Sequence, residues 1–351
     1  MIFGHDDFHD HEQVVFVSDA AAGLRAIIAV HSTALGPAIG GCRVLPYATD
    51  HEALTDVLRL SRGMTYKGAI AGVPFGGGKA VVIADPHRGE KTPELMRALG
   101  RAIEQLGGRY VTGEDVGTDA GDMLAIRTET RHVMGIPVEQ GGSGDPSPST
   151  ALGCFVGIEA SVAHRLDGRD LRGLRVAVQG LGNVGFNLCS KLADAGAALI
   201  VTDTRPEVIH RCVEMFGATA VAPDDIYEVE AEVFSPCALG AIINDDTIAR
   251  LKVAIVAGGA NNQLAALRHG EALRQRQVLY APDYVINGGG MIQLALERMG
   301  ADPCEVETRV RAIYDTLQLI FVKAADKGIT TGAAADEIVE ERLRGAKRKT
   351  A

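Results

Sequence analysis

The chain has no tryptophan, only six cysteines, and no apolar run near the ~20 residues that a membrane span requires. The cysteines (Cys42, Cys154, Cys189, Cys212, Cys237 and Cys304) form no C-x-x-C pair, so neither a zinc site nor a disulfide framework is indicated. No metal is expected, and a reduced cytoplasm is the expected compartment. Positive charge is also short: 35 Lys and Arg against 45 Asp and Glu give a net charge of −10. That balance argues against nucleic acid or an anionic membrane as a partner. Lysine is scarcest, with nine against 26 arginines. Residues 1–12 are acidic and His-rich and lack the basic start and apolar run of a signal peptide. His5, His9 and His11 are expected to lie in a flexible, solvated terminus rather than to hold a metal. What is present is an ordinary globular composition, 46% hydrophobic and 23% charged over 351 residues, enough for two domains with real cores. Glycine is abundant at 42 residues, and much of it sits in short runs.

The densest cluster of turn-forming residues, Gly141-Gly-Ser-Gly-Asp-Pro-Ser-Pro-Ser-Thr150, marks the expected boundary between domains 1–145 and 146–328. A helix over 329–351 is expected to pack back on the first domain. Before the boundary, 14–18 and 24–30 read as strands. Residues 50–63 read as an amphipathic helix, with Leu54, Val57, Leu58 and Leu60 at helical spacing. A strand at 80–83 and a helix at 92–106 follow. Beyond the boundary the pattern alternates: helix 150–165, strand 175–179, helix 183–195, strand 198–202, helix 206–216, then short strands at 232–235 and 253–256. This alternation predicts a parallel, doubly wound sheet. From 305 the pattern is mostly helical, and Lys347-Arg-Lys349 reads as a solvated tail.

The sharpest local signal is Val176-Ala-Val-Gln-Gly180-Leu-Gly182-Asn-Val-Gly185. It follows a buried strand, opens a helix at Asn183 and Val184, and precedes a second strand that ends at Asp203. Gly180 permits the tight turn, Gly182 lets backbone approach a diphosphate, and Gly185 lets helix and sheet pack closely. The diphosphate then rests on free N–H groups at the positive helix end. Asp203 is expected to accept hydrogen bonds from both ribose hydroxyls and to repel a 2′-phosphate, favouring NAD over NADP. Arg205 leaves some room for NADP, and a glycine-rich turn without ligand is the flat alternative.

Two of the nine lysines lie in Gly63-Met-Thr-Tyr-Lys67-Gly-Ala-Ile-Ala-Gly-Val-Pro-Phe-Gly-Gly-Gly-Lys79. In such apolar surroundings an ammonium is costly unless paired, and burial draws its pKa toward the range useful for acid–base chemistry. The Gly76-Gly-Gly78 run is expected to let backbone come close to a ligand. Tyr110-Val-Thr-Gly-Glu-Asp115-Val-Gly-Thr118 supplies an acid, and Asp115 is a partner for either lysine. The flat alternative has both lysines snorkelling from loops. A phosphate-binding loop is a further one, but no G-x-x-x-x-G-K-[ST] is present.

With these motifs assembled, the sequence resembles the NAD-dependent amino-acid dehydrogenases of the leucine, phenylalanine, valine and tryptophan type, leucine dehydrogenase above all. These are relatives of glutamate dehydrogenase. The resemblance runs over about 13–344 and rests further on Leu35-Gly-Pro-Ala-Ile-Gly-Gly-Cys-Arg43, Pro236-Cys-Ala-Leu-Gly240, Ala257-Gly-Gly-Ala-Asn-Asn262 and Ala281-Pro-Asp-Tyr-Val-Ile-Asn287-Gly-Gly. It implies an α/β protein of two domains, an N-terminal α/β substrate and oligomerisation domain and a Rossmann NAD-binding domain, closing over a cleft. It also implies a homo-oligomer, dimer or octamer. By resemblance Lys67 grips the substrate carboxylate, Lys79 activates water and Asp115 exchanges protons with the substrate nitrogen. Thr150, Asp203, the Cys237-Ala238 backbone and Asn261 line the nicotinamide cofactor. The implied reaction is reversible oxidative deamination of an L-amino acid to a 2-oxo acid and ammonia. A non-catalytic binder on the same fold has no use for a water-activating lysine.

Glutamate-specific relatives carry a lysine where this chain has Ile39, just before Gly40 and Gly41. A buried substrate carboxylate there would go unpaired, so an apolar pocket of Ile39, Met64, Gly113, Met291 and Leu294 is expected. Gly113 leaves room for a ring, whereas Met291 and Leu294 take room back. Arg43-Val-Leu-Pro-Tyr47 is similar to tryptophan dehydrogenase. Leucine, valine and isoleucine lead, with phenylalanine or tryptophan as the alternative.

Overall fold

The computed structural model describes residues 2–142 and 144–350. Its contacts divide the chain into two units. The first holds Met1–Asp145, Leu294–Ala301 and Val339–Ala351, and the second holds Pro146–Gln293 and Asp302–Ile338. No helix among the described residues is long and apolar enough to cross a membrane.

The first unit is built on a mixed sheet of β1 (Gln13–Asp19), β2 (Leu24–Ser32), β3 (Ala38–Ile39), β4 (Cys42–Leu45), β5 (Gly76–Ile83) and β6 (Tyr110–Val111). The order is β1-β2-β5-β3-β6, and β4 lies along the far half of β5. Alternate residues of a strand face opposite sides, and β2 uses both. Leu24, Ala26, Ile28 and Val30 pack with Leu95, Leu99 and Ile103 of the helix Pro93–Glu104. Ile27 and Ala29 pack with Ala53, Val57 and Leu58 of the helix Asp50–Ala71. The apolar run at 24–30 is therefore a central strand covered on both faces.

The helix that opens at Asp50 does not stop at Gly63, as the sequence suggested. Thr49 caps its start by accepting the Glu52 N–H, and it runs to Ala71, where Gly72 in the left-handed region (φ 67°) ends it. Packing on the sheet overrides the two glycines. The Gly76–Gly78 run opens β5 and is buried. A Cβ on Gly77 would stand 2.0 Å from Thr65 N, and one on Gly78 would stand 2.7 Å from the Tyr110 ring. These glycines admit close protein neighbours.

Part of the chain start is packed on the first unit, although His9 is exposed as expected. His11 is buried, with Nε2 2.9 Å from Ser61 Oγ and 3.1 Å from the Leu58 carbonyl, and His5 Nε2 lies 3.1 Å from Thr55 Oγ1. The tail is helical, since the helix Thr331–Thr350 continues through residues 347–349, and Lys347 and Arg348 are exposed as expected. Within the first unit, Arg342 donates to the Ala69 and Ile70 carbonyls, and the Tyr66 hydroxyl donates to Glu340.

The second unit carries six parallel strands, β7 (Arg175–Gln179), β8 (Ala198–Thr202), β9 (Thr219–Ala220), β10 (Val233–Pro236), β11 (Ile255–Val256) and β12 (Leu279–Tyr280). Their order is β12-β11-β10-β7-β8-β9. Counted within the unit, this is the 3-2-1-4-5-6 arrangement of a Rossmann sheet. The order reverses between β7 and β10, which is where such sheets bind their ligands.

Candidate active site

In the first unit the sheet itself brings charges together. Lys79 on β5 shares a face with Gly77 and Val81, the face covered by the helix Asp50–Ala71. Arg43 on β4 pairs in register with Val81, so it projects on that same face. Asp115 comes from the loop after β6, brought near by a bridge between Cys42 and Glu114. Gly41 has to be glycine for this approach, since a Cβ there would stand 2.5 Å from the Glu114 carbonyl oxygen and 2.8 Å from Asp115 Cβ. The Tyr110 hydroxyl holds the Gly40 and Gly41 carbonyls at 2.9 and 3.1 Å.

Lys79 is only 5% exposed, and its ammonium lies 3.0 Å from Asp115 Oδ2. Arg43 Nε donates to the same oxygen at 2.8 Å. Asp115 Oδ1 has no protein donor among the described residues. Burial pushes the Asp115 carboxyl up, but the Lys79 and Arg43 charges outweigh it and hold the group below the usual carboxylate range. The site thus offers an ionised carboxylate with one oxygen locked and one open, beside a buried amine. Arg43 continues to Asp56 (3.1 Å), which accepts the Tyr47 hydroxyl at 2.5 Å. Reading the sequence singled out Lys79 and Asp115, but not Arg43, Asp56 or Tyr47.

Lys67 sits half-buried on a helix, not in a loop. With a period of 3.6 residues, Asp56, Met64 and Lys67 share one helical stripe. A Cβ on Gly40 would lie 3.2 Å from Met64 Cγ, so Met64 packs on the Gly40 backbone. Ile39 is wholly buried in β3, between Gly77 of β5 and Val111 of β6. Beside Gly113 the structure adds Met134, whose Cγ would be 3.4 Å from a Cβ at residue 113. Leu294 is half-buried near Gly135, while Met291, buried and one turn earlier on the helix Gly289–Arg298, falls in the second unit.

The second unit presents a site made mostly of backbone. β7 ends at Gly180 (φ 95°), and Gly182 caps the helix Asn183–Asp194 with no side-chain hydrogen bond, leaving the first-turn N–H groups for another acceptor. A Cβ on Gly182 would meet nothing within 4 Å, whereas one on Gly185 would be 2.0 Å from the Gly180 oxygen. The turn is therefore tight inside and open outside, which fits a diphosphate. Ala238, following β10, packs on Gly180 across the strand reversal, and Cys237 packs on Gly185. Val184 and Cys237 both border Gly259. Asn261 Oδ1 accepts from Asn287 Nδ2 at 2.7 Å, and Asn287 Oδ1 is buried without a donor among the described residues. A buried acceptor of that kind suits an amide-bearing ligand. Thr150 donates to the Pro146 carbonyl in the first turn of the helix Ser147–Arg165, and Gly290 leaves room for its hydroxyl.

Asp203 is more occupied than the sequence suggested. Oδ2 accepts the Leu181 N–H at 2.6 Å and Arg205 Nη2 at 3.3 Å, while Oδ1 accepts the Arg205 N–H and Nε at 2.9 and 3.0 Å. Burial raises this carboxyl, but these donors prevail and bring it to about 2. Arg205 thus occupies both carboxylate oxygens of Asp203.

Comparison with known proteins agrees with both halves. The family model for the Glu/Leu/Phe/Val dehydrogenase dimerisation domain matches residues 11–132, and that for Glutamate/Leucine/Phenylalanine/Valine dehydrogenase matches 141–211 and 202–340. Leucine dehydrogenase of Geobacillus stearothermophilus is 49% identical over 342 residues, covering 97% of this chain and 93% of that protein. Phenylalanine dehydrogenase of Caldalkalibacillus thermarum is 52% identical over 344 residues, covering 96% and 92%. The crystal structure of L-tryptophan dehydrogenase from Nostoc punctiforme superposes with a TM-score of 0.87 at 46% identity, covering 97% of each chain.

Proposed function

We propose, from the premise that this chain belongs to the Glu/Leu/Phe/Val dehydrogenase family of nicotinamide-dependent amino-acid dehydrogenases, that it catalyses the reversible, NAD-dependent oxidative deamination of an apolar L-amino acid, with leucine, valine and isoleucine preferred. The observation that carries this reading is the buried pair of Lys79 and Asp115. The turn at Gly180, Gly182 and Gly185 and the Cys237-Ala238 backbone would hold a nicotinamide coenzyme, which would supply the acceptor for the hydride on Cα. Lys67 holds the substrate carboxylate and so fixes the orientation of Cα. The open Oδ1 of Asp115 takes a proton from the substrate nitrogen. Lys79, unprotonated, removes a proton from water as the water adds to the iminium carbon. Asp115 returns its proton to nitrogen, and the C–N bond of the carbinolamine breaks as the hydroxyl oxygen becomes the carbonyl of the 2-oxo acid. The hydroxyl proton leaves with the departing ammonia as ammonium, and Lys79 gives up its proton once the products have gone. Burial of both groups serves this chemistry, because a proton exchanged with bulk water would short-circuit it.

NAD is the proposed coenzyme because Asp203, directly after β8, is an ionised carboxylate beside the dinucleotide turn. The cofactor contacts assigned to Thr150, Gly180, Gly182, Asn183, Val184, Gly185, Cys237, Ala238 and Asn261 belong to the same proposal. For the substrate side chain, Ile39, Gly40, Gly41, Met64, Gly113, Met291 and Leu294 offer no cation, and this disfavours glutamate. The aromatic alternative draws on Gly113, which does not have positive φ and where the atoms nearest an added Cβ belong to Met134. The dimerisation-domain match supports a homo-oligomer. The direct test is reductive amination: with ammonium and 4-methyl-2-oxopentanoate, NADH should be consumed and leucine formed. If no apolar 2-oxo acid consumes NADH, the reading fails.

A further inference from the structure

Arg43, Asp56 and Tyr47 have no part in the proton transfers assigned above, yet they form an unbroken chain with the residues that do. We propose that Arg43, held from behind by Asp56 and Tyr47, is a positioning group that sets how firmly Asp115 holds Lys79. The inference rests on the proposed roles of Lys79 and Asp115 but concerns a different set of residues.

Four charges alternate in sign along this chain: Lys79, Asp115, Arg43 and Asp56. Arg43 Nε and Lys79 Nζ compete for one oxygen, Asp115 Oδ2, at 2.8 and 3.0 Å. The Arg43 Nη1 fork is turned instead to Asp56, at 3.1 and 3.3 Å from its two oxygens. All four side chains are shielded, from 6% exposed for Lys79 to 28% for Asp56, so each charge is felt by its neighbours with little solvent screening. Burial and the Asp56 carboxylate push the Tyr47 hydroxyl well above its ordinary range, so Tyr47 acts as a donor that pins Asp56. Other titratable and charged groups lie on the elements around the pair. Cys42 on β4 is pushed up to about 12 by burial and the Asp115 charge. Tyr110 on β6 is driven well above its ordinary range by burial. Lys91 and Asp122 neutralise each other at 2.5 Å, and Asp119 lies 3.3 Å from the same ammonium. Glu114, next in the loop, is raised by burial and by Asp119, and Lys67 lies on the covering helix.

The consequence has a sign. Arg43 draws on the carboxylate that would otherwise bear on Lys79 alone. Without Arg43, Asp115 holds the ammonium form of Lys79 more tightly, and deamination requires the amine. Without the Asp56 charge, Arg43 bears more heavily on Asp115 and Lys79 is released. The two substitutions therefore move the same titration in opposite directions, which a merely structural role does not do. Arg43→Lys keeps the charge but not the fork that reaches both carboxylates, so it should fall between Arg43→Gln and wild type.

The test measures the pH dependence of kcat/KM for deamination in wild type, Arg43→Gln, Arg43→Lys and Asp56→Asn. Alongside it, the 13Cε resonance of Lys79 is titrated in [13C]lysine-labelled protein, assigned by its loss in Lys79→Ala. Arg43→Gln should move the acid limb and the Lys79 titration to higher pH by on the order of one unit, and Asp56→Asn should move both to lower pH. Unmoved titrations, or shifts in the same direction, overturn the proposal. Should Arg43→Gln not fold, Asp56→Asn and Arg43→Lys still report the sign. A wild type inactive on all amino acids would sink the functional reading, while the resonance titration would still decide whether the network exists.

Discussion

The two units solve their chemical problems with different materials. The first gathers side-chain charges from β4, β5, the loop after β6 and one helix, and buries them in mutual neutralisation. The second relies on backbone: three glycines, uncapped N–H groups at a helix start and the reversal point of a parallel sheet, with Asp203 and Arg205 as the one charged pair at the turn. Glycine itself shows the contrast. In the first unit it admits protein neighbours, as Gly77 admits Thr65, whereas Gly182 in the second faces open space. Acid–base work requires groups whose proton affinity the surroundings can tune. Holding a diphosphate requires fixed donors that never titrate.

The largest effect that would break this division is expected at Lys79. Lys79→Ala should lower turnover by roughly 10²–10⁴ fold while leaving NAD affinity, measured by calorimetry, where it was. Near-normal turnover would remove Lys79 from the mechanism. The glycine contrast can be sharpened with a pair of variants. Gly182→Ala should fold with an unchanged melting temperature yet weaken NAD by about tenfold or more, the equivalent of a lost charge-assisted hydrogen bond. Gly77→Ala should instead destabilise the protein by roughly 1–3 kcal/mol in denaturant titration, because its Cβ would stand 2.0 Å from Thr65 N. A reversal of those outcomes would mean that the two glycine runs have been assigned the wrong way round.

A smaller effect is expected at Asp203. Asp203→Ser should weaken NAD and narrow its advantage over NADP, each hydrogen bond to the charged group being worth about 1.5–3 kcal/mol. Because Arg205 already occupies the carboxylate, part of that loss should be offset by the guanidinium released. An unchanged NAD-to-NADP ratio of affinities would place the preference elsewhere. The smallest is Gly113→Ala. The added methyl would touch the flexible Met134 side chain at 3.4 Å, so the cost should sit near the lower end of the roughly 10–200 fold that one methylene commands in a pocket. It should fall more heavily on phenylalanine than on leucine. A constant ratio of kcat/KM for the two would take Gly113 out of the pocket.

The same contrast explains what could be read from sequence. Strands 175–179 and 198–202 and the helix 206–216 match the structure to the residue, because a parallel sheet writes itself as compact apolar runs separated by turns. The glycine turn at Gly180–Gly185 is a local motif and carries its spacing with it. In the first unit, β3 and β6 are two residues each, too short for any periodicity. Arg43 and Lys79 become neighbours only through the pairing of β4 with β5, and Asp56 joins them from a helix. None of these separations in sequence signals contact. Met134 was missed for the same reason, since its place beside Gly113 follows from the bridge between Thr112 and Val133. His11 looked solvated because its partners, Ser61 and Leu58, lie 50 and 47 residues away.

The account stands or falls on what the first unit binds. The decisive measurement is NADH formation in the forward direction, as kcat/KM for a panel of L-leucine, L-valine, L-isoleucine, L-phenylalanine, L-tryptophan and L-glutamate at one pH with saturating NAD. The account predicts turnover with the apolar amino acids, branched-chain ones foremost, and glutamate far below all of them. Glutamate as the best substrate, or no NADH from any member of the panel, would contradict it.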